Sequence, residues 1–174
     1  MGFSVGLASF IVLIGFVALF STVCTAFITS MQDISYATSV YISNQHDKLN
    51  TQIQLTVDSV TATRSEITVK NIGSKTIFLQ NSNGYNWNTI ILSYGSSAQR
   101  YSYSIESYSI EEIKVIGSNN SFNTATHKYI NPGEQATISL NLPSGAPEIS
   151  ASDVVSVTFA SYYGAAATSE GMMA

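Results

Sequence analysis

"TQIQLTVDSVTATRSEITVKNIG" (residues 51–73) is the stretch in which the hydrophobic pattern of the chain changes its period. Before it, apolar residues recur at the spacing of a helix. Within it, Ile53, Leu55 and Val57 alternate with polar residues, and Ile67 and Val69 do the same. Alternation with a period of two predicts β-strands that bury one face. The stretch therefore marks the start of a β domain.

Further short strands are predicted on the C-terminal side. They are separated by turn-forming clusters such as GSNNSFN and PSGAPEIS, and by a turn at Asn131-Pro132-Gly133-Glu134 in which Pro presets φ and Gly takes the positive φ. Strands at roughly ten-residue spacing predict an antiparallel β-sandwich over residues 51–164. Residues 165–174, AAATSEGMMA, show no alternation, and we expect this tail to be loosely ordered.

On the N-terminal side, residues 1–32 contain no Lys, Arg, Asp or Glu. The apolar core of this segment, residues 3–28, forms about 39 Å of helix at about 1.5 Å per residue, more than the roughly 30 Å of membrane hydrocarbon. It also lacks the basic residues that precede the apolar core of a secretory signal. We therefore predict a transmembrane helix over residues 1–32 that contacts lipid through residues 3–28 and is not removed.

Helical spacing continues beyond the apolar core. Ile34, Ala37, and Val40 or Tyr41 recur at helical intervals, which predicts a helical stalk over residues 33–50. Its role as a linker or as a helix–helix contact is left open. The fold class is thus mainly β with one long N-terminal α-helix, as a single-pass membrane protein whose folded domain lies outside the cell.

Composition excludes several classes of function. The net charge of −4 and the absence of a Lys/Arg cluster argue against nucleic-acid binding, and the lone Cys24 excludes a disulfide within the chain. His46 and His127 lack partners at metal-ligand spacing. We predict no catalytic, metal-binding or cofactor-binding residues, and neither an enzyme nor a binder of small-molecule substrates.

Aromatic residues among polar neighbours are the candidate partner interface, because Tyr and Trp supply large contact areas with few rotatable bonds. The candidates are Tyr85, Trp87, Tyr101, Tyr103 and Tyr108. A Tyr-rich surface without a partner is an equally good interpretation. Separately, Asn119-Asn120-Ser121 is an acceptor motif for N-glycosylation at Asn119, and an ordinary polar turn is the alternative.

The order of these parts resembles the archaellum accessory proteins of the FlaG/FlaF type. The resemblance depends on the N-terminal membrane helix, the E-x-T-V-x-N-x-G motif that begins at Glu66, the Asn131-Pro132-Gly133-Glu134 turn and the closing strand VVSVTFASYYG. It implies an immunoglobulin-like β-sandwich related to the archaellin domain. The motifs are moderately specific for the wider superfamily and separate its members poorly.

The function that this resemblance implies is a stator of the archaeal motility machinery, between the membrane and the surface layer (S-layer). Its expected partners are the S-layer protein, other archaellum components or copies of itself in a homo-oligomer. The alternative is an archaellin-like or pilin-like filament subunit whose N-terminal helix packs in a filament core. Against that alternative, no basic residue precedes the helix, and Val5 and Gly6 stand where bacterial-type pilins have a Glu. A membrane-tethered receptor is a third hypothesis.

Overall fold

The computed structural model describes residues 2–81, 83–96 and 98–173, with side chains described from Gly6 onward in the helix. The chain forms two compact units, Met1–Gln45 and His46–Ala174. The helix α1 runs from Gly2 to Asn50 without interruption, so no break separates the predicted transmembrane and stalk segments. Its 49 residues correspond to about 73 Å.

Hydroxyl side chains inside α1 are satisfied by the helix itself. Thr22 Oγ1 donates to Ala18 O at 2.7 Å, and Thr29 Oγ1 donates to Thr25 O at 2.9 Å. Ser30 makes the same bond one turn back. Because these hydroxyls need no outside partner, an apolar environment can surround them without leaving a polar group unpaired.

The β domain consists of antiparallel sheets. Its strands are β1 Ile53–Val60, β2 Arg64–Asn71, β3 Ile77–Phe78, β4 Thr89–Gly95, β5 Arg100–Ile105, β6 Tyr108–Val115, β7 Ser121–Phe122, β8 Tyr129–Ile130, β9 Glu134–Asn141, β10 Val154–Ala160 and β11 Ala166–Met172. One sheet has the order β1-β2-β9-β6-β7 and a second has the order β11-β10-β4-β5, while β3 pairs with β8. The predicted sandwich-like, mainly β fold is confirmed.

The core forms where the inner faces of the two larger sheets meet. Alternate residues of β2, β9, β4 and β10 are fully buried, as the period of two predicts. The inward residues with no exposed surface are Ile67, Val69, Ala136, Ile138, Leu140, Ile90, Leu92, Tyr94, Val155, Val157 and Phe159. Burial of each large apolar side chain contributes about 1.5–3 kcal/mol to folding, so these strands hold the domain together.

The segment RYSYSIESYSI (residues 100–110) is divided between two sheets. β5 ends at Ile105 in one sheet, and β6 begins at Tyr108 in the other. Ile105 and Tyr108 are both buried although they would lie on opposite faces of a single strand. The crossing at Glu106 and Ser107 thus explains why both faces of the segment carry apolar groups.

The prediction of a loosely ordered tail at residues 165–174 is wrong for its main part. β11 pairs with β10 along its whole length, from Ala160 opposite Ala166 to Val154 opposite Met172. From Ala166 to Gly171 its residues are small or polar and partly or fully exposed, so alternation is not visible in the sequence, and main-chain hydrogen bonds stabilise the strand. Gly171 permits a close approach to β1, because a Cβ there would lie 2.7 Å from Val57 Cγ1.

Candidate functional site

The surface of α1 is the most unusual feature of the molecule. Between residues 6 and 45, large apolar side chains are exposed in this single chain, among them Phe10, Phe16 and Phe20 at 62%, 72% and 67%. The described helix from Gly6 to Asn50 is long and apolar enough to cross a membrane. An exposed apolar surface of this size requires lipid or protein around it.

At its C-terminal end, α1 is bound to the sandwich through its backbone. Asn50 O accepts hydrogen bonds from Ser74 N at 2.9 Å and from Lys75 N at 3.2 Å. Gly73 lies so close to this carbonyl that a Cβ would be 2.4 Å from Asn50 O. Only glycine fits there, which gives a structural reason for the last residue of the E-x-T-V-x-N-x-G motif.

An ion pair strengthens this junction. Lys75 Nζ lies 2.7 Å from Asp47 Oδ1, on the last turns of the helix. The hydrogen bond to Asp47 raises the pKa of Lys75, while partial desolvation lowers it. The pair is partly exposed, so its contribution is small compared with that of the backbone bonds.

Asn71 connects the junction to the turn at Asn131-Pro132-Gly133-Glu134. Its buried side chain donates to Lys75 O at 2.7 Å and to Ile130 O at 2.9 Å, and it accepts from Gly73 N at 3.1 Å. Its backbone carbonyl accepts from Gly133 N at 3.0 Å. The two motifs that are far apart in sequence therefore meet at one point, and Asn71 holds them together.

The turn itself has the predicted geometry. Gly133 has a φ of +82°, and Glu134 N donates to Asn131 O at 3.0 Å. The nearly buried Glu134 carboxylate accepts from Asn131 N at 2.8 Å and lies 3.0 Å from His127 Nε2. A carboxylate only accepts, so the His127 nitrogen is the donor. Burial raises the pKa of Glu134, but the bonds from Asn131 and His127 outweigh it, and the net pKa lies below 4.5.

Tyr108, one of the five predicted interface residues, is in the core and cannot reach a partner. It is 7% exposed, and its hydroxyl donates to Leu79 O at 2.9 Å. Burial raises the pKa of Tyr108 to about 12. The prediction that Tyr108 belongs to an interface is wrong. Tyr108 lies on β6, which is in the sheet opposite that of β5, and its side chain is buried in the core.

Tyr101 and Tyr103 are half-buried at the edge of the core. Their ring centroids lie 5.7 Å and 6.1 Å from that of the fully buried Tyr94, whose hydroxyl donates to Pro147 O. Burial, with a contribution from Tyr103, raises the pKa of Tyr94 to about 12. Both residues thus pack against their own domain, and a role in an interface stays a prediction.

Trp87 and Tyr85 are exposed, as an interface requires. Trp87 is 44% exposed, and its ring meets that of Tyr162 edge-on at 5.1 Å. Tyr162 also contacts Tyr163, with ring centroids 5.7 Å apart, and Lys75 Nζ lies 5.8 Å from the Tyr163 ring. We call Trp87, Tyr162 and Tyr163 the aromatic cluster. The dipeptide Tyr162-Tyr163 in the turn after β10 was absent from the predicted interface, although two adjacent tyrosines in a turn were a visible signal.

Asn119 lies in the exposed turn between β6 and β7. The turn is closed by main-chain bonds, including Val115 N to Asn120 O at 3.2 Å, and Asn119 itself is exposed. Glycosylation at this position stays a prediction.

The comparisons with known proteins agree with this geometry. The chain matches the archaeal-type flagellin family model over residues 2–171. Among solved structures, it is similar to the archaeal flagellum of Methanospirillum hungatei strain JF1, with a TM-score of 0.62 and 13% identity, over 97% of this chain and 93% of that one. This likeness shows a shared fold that includes both helix and sandwich.

Two stator structures are less similar. The archaellum periplasmic stator protein FlaG from Sulfolobus acidocaldarius aligns with a TM-score of 0.40 and 15% identity, over 70% of this chain and all of that one. The archaellum periplasmic stator protein complex of FlaF and FlaG from the same organism aligns with a TM-score of 0.37 and 18% identity, over 69% of this chain and 88% of that one. Among curated proteins no sequence matches this chain.

The predicted relationship to archaellum proteins is confirmed, but the family that matches is that of the flagellins and not that of the accessory proteins. Members of this family are structural proteins and not enzymes. Because the family model covers residues 2–171, and so nearly all of both units, this chain belongs to the archaeal-type flagellin family.

Proposed function

We propose that the protein is a subunit of an archaeal filament, with α1 packed among the helices of other copies and the β domain on the outside. The observation that carries this proposal is the exposed apolar surface along α1, which is longer than a membrane is thick. The 45 residues from Gly6 to Asn50 correspond to about 68 Å of helix, against roughly 30 Å of membrane hydrocarbon.

The apolar surface continues beyond the part of the helix that lipid could cover. Met31, Ile34 and Tyr41 are 58%, 67% and 63% exposed, and all lie outside residues 3–28. A bundle of parallel helices would cover these side chains together with those nearer the N-terminus. In this proposal, residues 3–28 contact lipid before assembly, when the chain is still in the membrane.

Small residues on α1 support close packing between copies. At Gly6 and Gly15 an added Cβ would meet nothing within 4 Å in the single chain. In helix bundles, small residues let neighbouring backbones approach closely, and this increases dispersion contacts. The hydroxyls of Thr22, Thr25, Thr29 and Ser30 already donate to carbonyls within the helix, so such contacts leave none of these four groups unpaired.

The stator function expected from the sequence is supported less well, because the flagellin family is the one that matches. Docking to the S-layer belongs to that function and has no independent support from the structure. In the proposed function the partners are copies of this chain and other archaellum components. The β domain lies outside the cell, and the assembled filament serves motility.

Cell fractionation with quantification tests the proposal. Filaments are sheared from cells that produce the full chain, and the filament and membrane fractions are compared by mass spectrometry. We expect the chain to be a principal component of the filament fraction, in many copies per filament. A chain confined to the membrane fraction, in a strain that still makes filaments, would overturn the proposal in favour of a stator.

A further inference from the structure

The aromatic cluster borders the end of the helix. Lys75 contacts both Asp47 on the last turns of α1 and the ring of Tyr163, so the cluster is continuous with the place where the helix enters the sandwich. Tyr162 is 65% exposed, and Trp87 is 44% exposed. The exposed rings of the cluster therefore lie next to the residues with which α1 ends.

The rings of the cluster are held in position before any partner binds. Trp87 and Tyr162 meet at an interplanar angle of 83°, and Tyr162 and Tyr163 meet at 72°. Trp87 N also donates to Leu79 O at 2.9 Å, which fixes the backbone of its loop. Rings that are already ordered lose little conformational entropy on binding, so their contact area contributes efficiently to affinity.

Part of the stalk, residues 34–46, has the chemistry to cover such a surface. Between Asp33 and Asp47 it carries no Asp, Glu, Lys or Arg. Tyr36, Tyr41 and Ile42 are 74%, 63% and 60% exposed, and Ser, Thr, Asn and Gln fill the positions between the apolar residues. Uncharged amphipathic groups can be buried against Tyr and Trp without leaving an unpaired charge.

The two surfaces differ from each other, and this determines the kind of assembly. A contact between the cluster of one copy and the stalk of another is heterologous, since neither copy uses the same surface on both sides. Heterologous contacts repeat into rings or into open helical assemblies. Open assemblies are the class that a filament requires.

We propose that the aromatic cluster Trp87, Tyr162 and Tyr163 is the docking surface for the stalk of a second copy of this chain. The inference rests on the proposed filament function and adds the particular surfaces through which the β domain of one subunit contacts the helix of another. It predicts that removal of the exposed rings weakens the filament without unfolding the domain.

Site-specific photocrosslinking in assembled filaments tests the contact. A photoreactive residue replaces Tyr162 in the full chain, and filaments are grown from a mixture of isotopically light and heavy copies. After irradiation and digestion with chymotrypsin, we expect light–heavy crosslinked pairs that join position 162 to residues 34–46. Crosslinks that map to lipid, to another protein, to the same copy alone or to a different part of a second copy would overturn the inference.

Two matched variants supply an independent readout. Tyr162→Ser removes a cluster ring, whereas Met172→Ser removes a large side chain of similar exposure, 67%, that lies outside the cluster. We expect Tyr162→Ser to reduce filament yield by about tenfold or more, as loss of a central aromatic contact does, and Met172→Ser to leave it near wild type. Thermal unfolding of the β domain should be unchanged in both.

Equal filament yields from the two variants would contradict the inference while leaving the filament function intact. A wild-type chain that never enters filaments would overturn both proposals, and the fractionation experiment above detects this case separately.

Discussion

The two units of the chain differ most in where their apolar side chains lie. In the β domain, Ile67, Ile138, Phe159 and their neighbours have no exposed surface. In α1, apolar side chains of the same size are more than half exposed over several turns, as Phe16 is at 72%. The β domain buries its own hydrophobic core, whereas α1 satisfies its main-chain hydrogen bonds but leaves its apolar side chains exposed.

This difference shows that the units have separate sources of stability. Strands and a buried core hold the β domain together within one chain. The helix satisfies its own main chain, but its side chains need lipid or other copies to exclude water. Substitutions in the two units should therefore affect different measurements, and each prediction below uses that separation.

The largest effect is expected in the core. Phe159→Ala removes a fully buried ring from β10, and the cavity should lower the free energy of unfolding by about 3–5 kcal/mol. Chemical denaturation of the full chain, followed by Trp87 fluorescence, measures it. The control Ile91→Ala lies on the outer face of β4, is 40% exposed and should change stability by less than about 0.5 kcal/mol. Equal effects would contradict the assigned core.

In α1, a charged substitution should prevent lipid or other helices from covering the apolar surface, while the β domain stays folded. Val17 is 62% exposed in the middle of the apolar segment, and Val17→Asp should disfavour burial in lipid or in a helix bundle by about 3 kcal/mol. We expect strong depletion from membrane and filament fractions, with an unchanged unfolding transition of the β domain. Gln54→Asp, on the exposed side of β1, adds the same charge and should alter neither.

At the junction, Asn71→Ala should have an intermediate effect. The change leaves Lys75 O, Ile130 O and Gly73 N without their partner in a buried place, and we expect a loss of about 2–3 kcal/mol. Differential scanning calorimetry measures the shift of the unfolding midpoint. Asn141→Ala, at the exposed end of β9, is the matched control. An unfolding midpoint close to that of wild type in Asn71→Ala would mean that the two motifs do not depend on this side chain.

The smallest effect depends on pH. The folded pKa of Glu134 lies below 4.5, so its stabilising contribution is complete above that pH and is lost as pH falls through the lower, folded value. Glu134→Gln should reduce stability by about 1–2 kcal/mol at neutral pH and match wild type in strong acid. Unfolding titrations of both proteins from pH 7 to 2 test this. A difference that is constant over the whole range would exclude ionisation of Glu134 as its cause.

Sequence periodicity predicted the helix and most of the long strands, because each pattern repeats over many residues. It failed where the pattern is short or hidden. β11 has small and polar side chains and is held by main-chain bonds to β10, which no side-chain pattern reveals. Tyr108 was assigned to a surface because a local pattern does not show that the chain crosses between sheets at Glu106 and Ser107.

The sequence identified only part of the aromatic cluster as a candidate interface. Trp87 was named as an interface residue, but Tyr162 lies 75 positions later and was not, and their contact at 5.1 Å depends on the pairing of β4 with β10. The exposed rings are visible in the sequence as aromatic residues among polar ones. Their adjacency is a property of the folded domain.

The sequence by itself determined that a helix with a long uncharged first segment precedes a mainly β domain, because local periodicity and the absence of charge in that segment depend only on neighbouring residues. Tertiary structure alone decided which aromatic residues are buried, that the C-terminal tail is a strand, and that Asn71 joins two distant motifs next to the end of the helix. The physical reason is that burial and hydrogen-bond partners are set by contacts between residues far apart in the chain, and such contacts leave no local pattern.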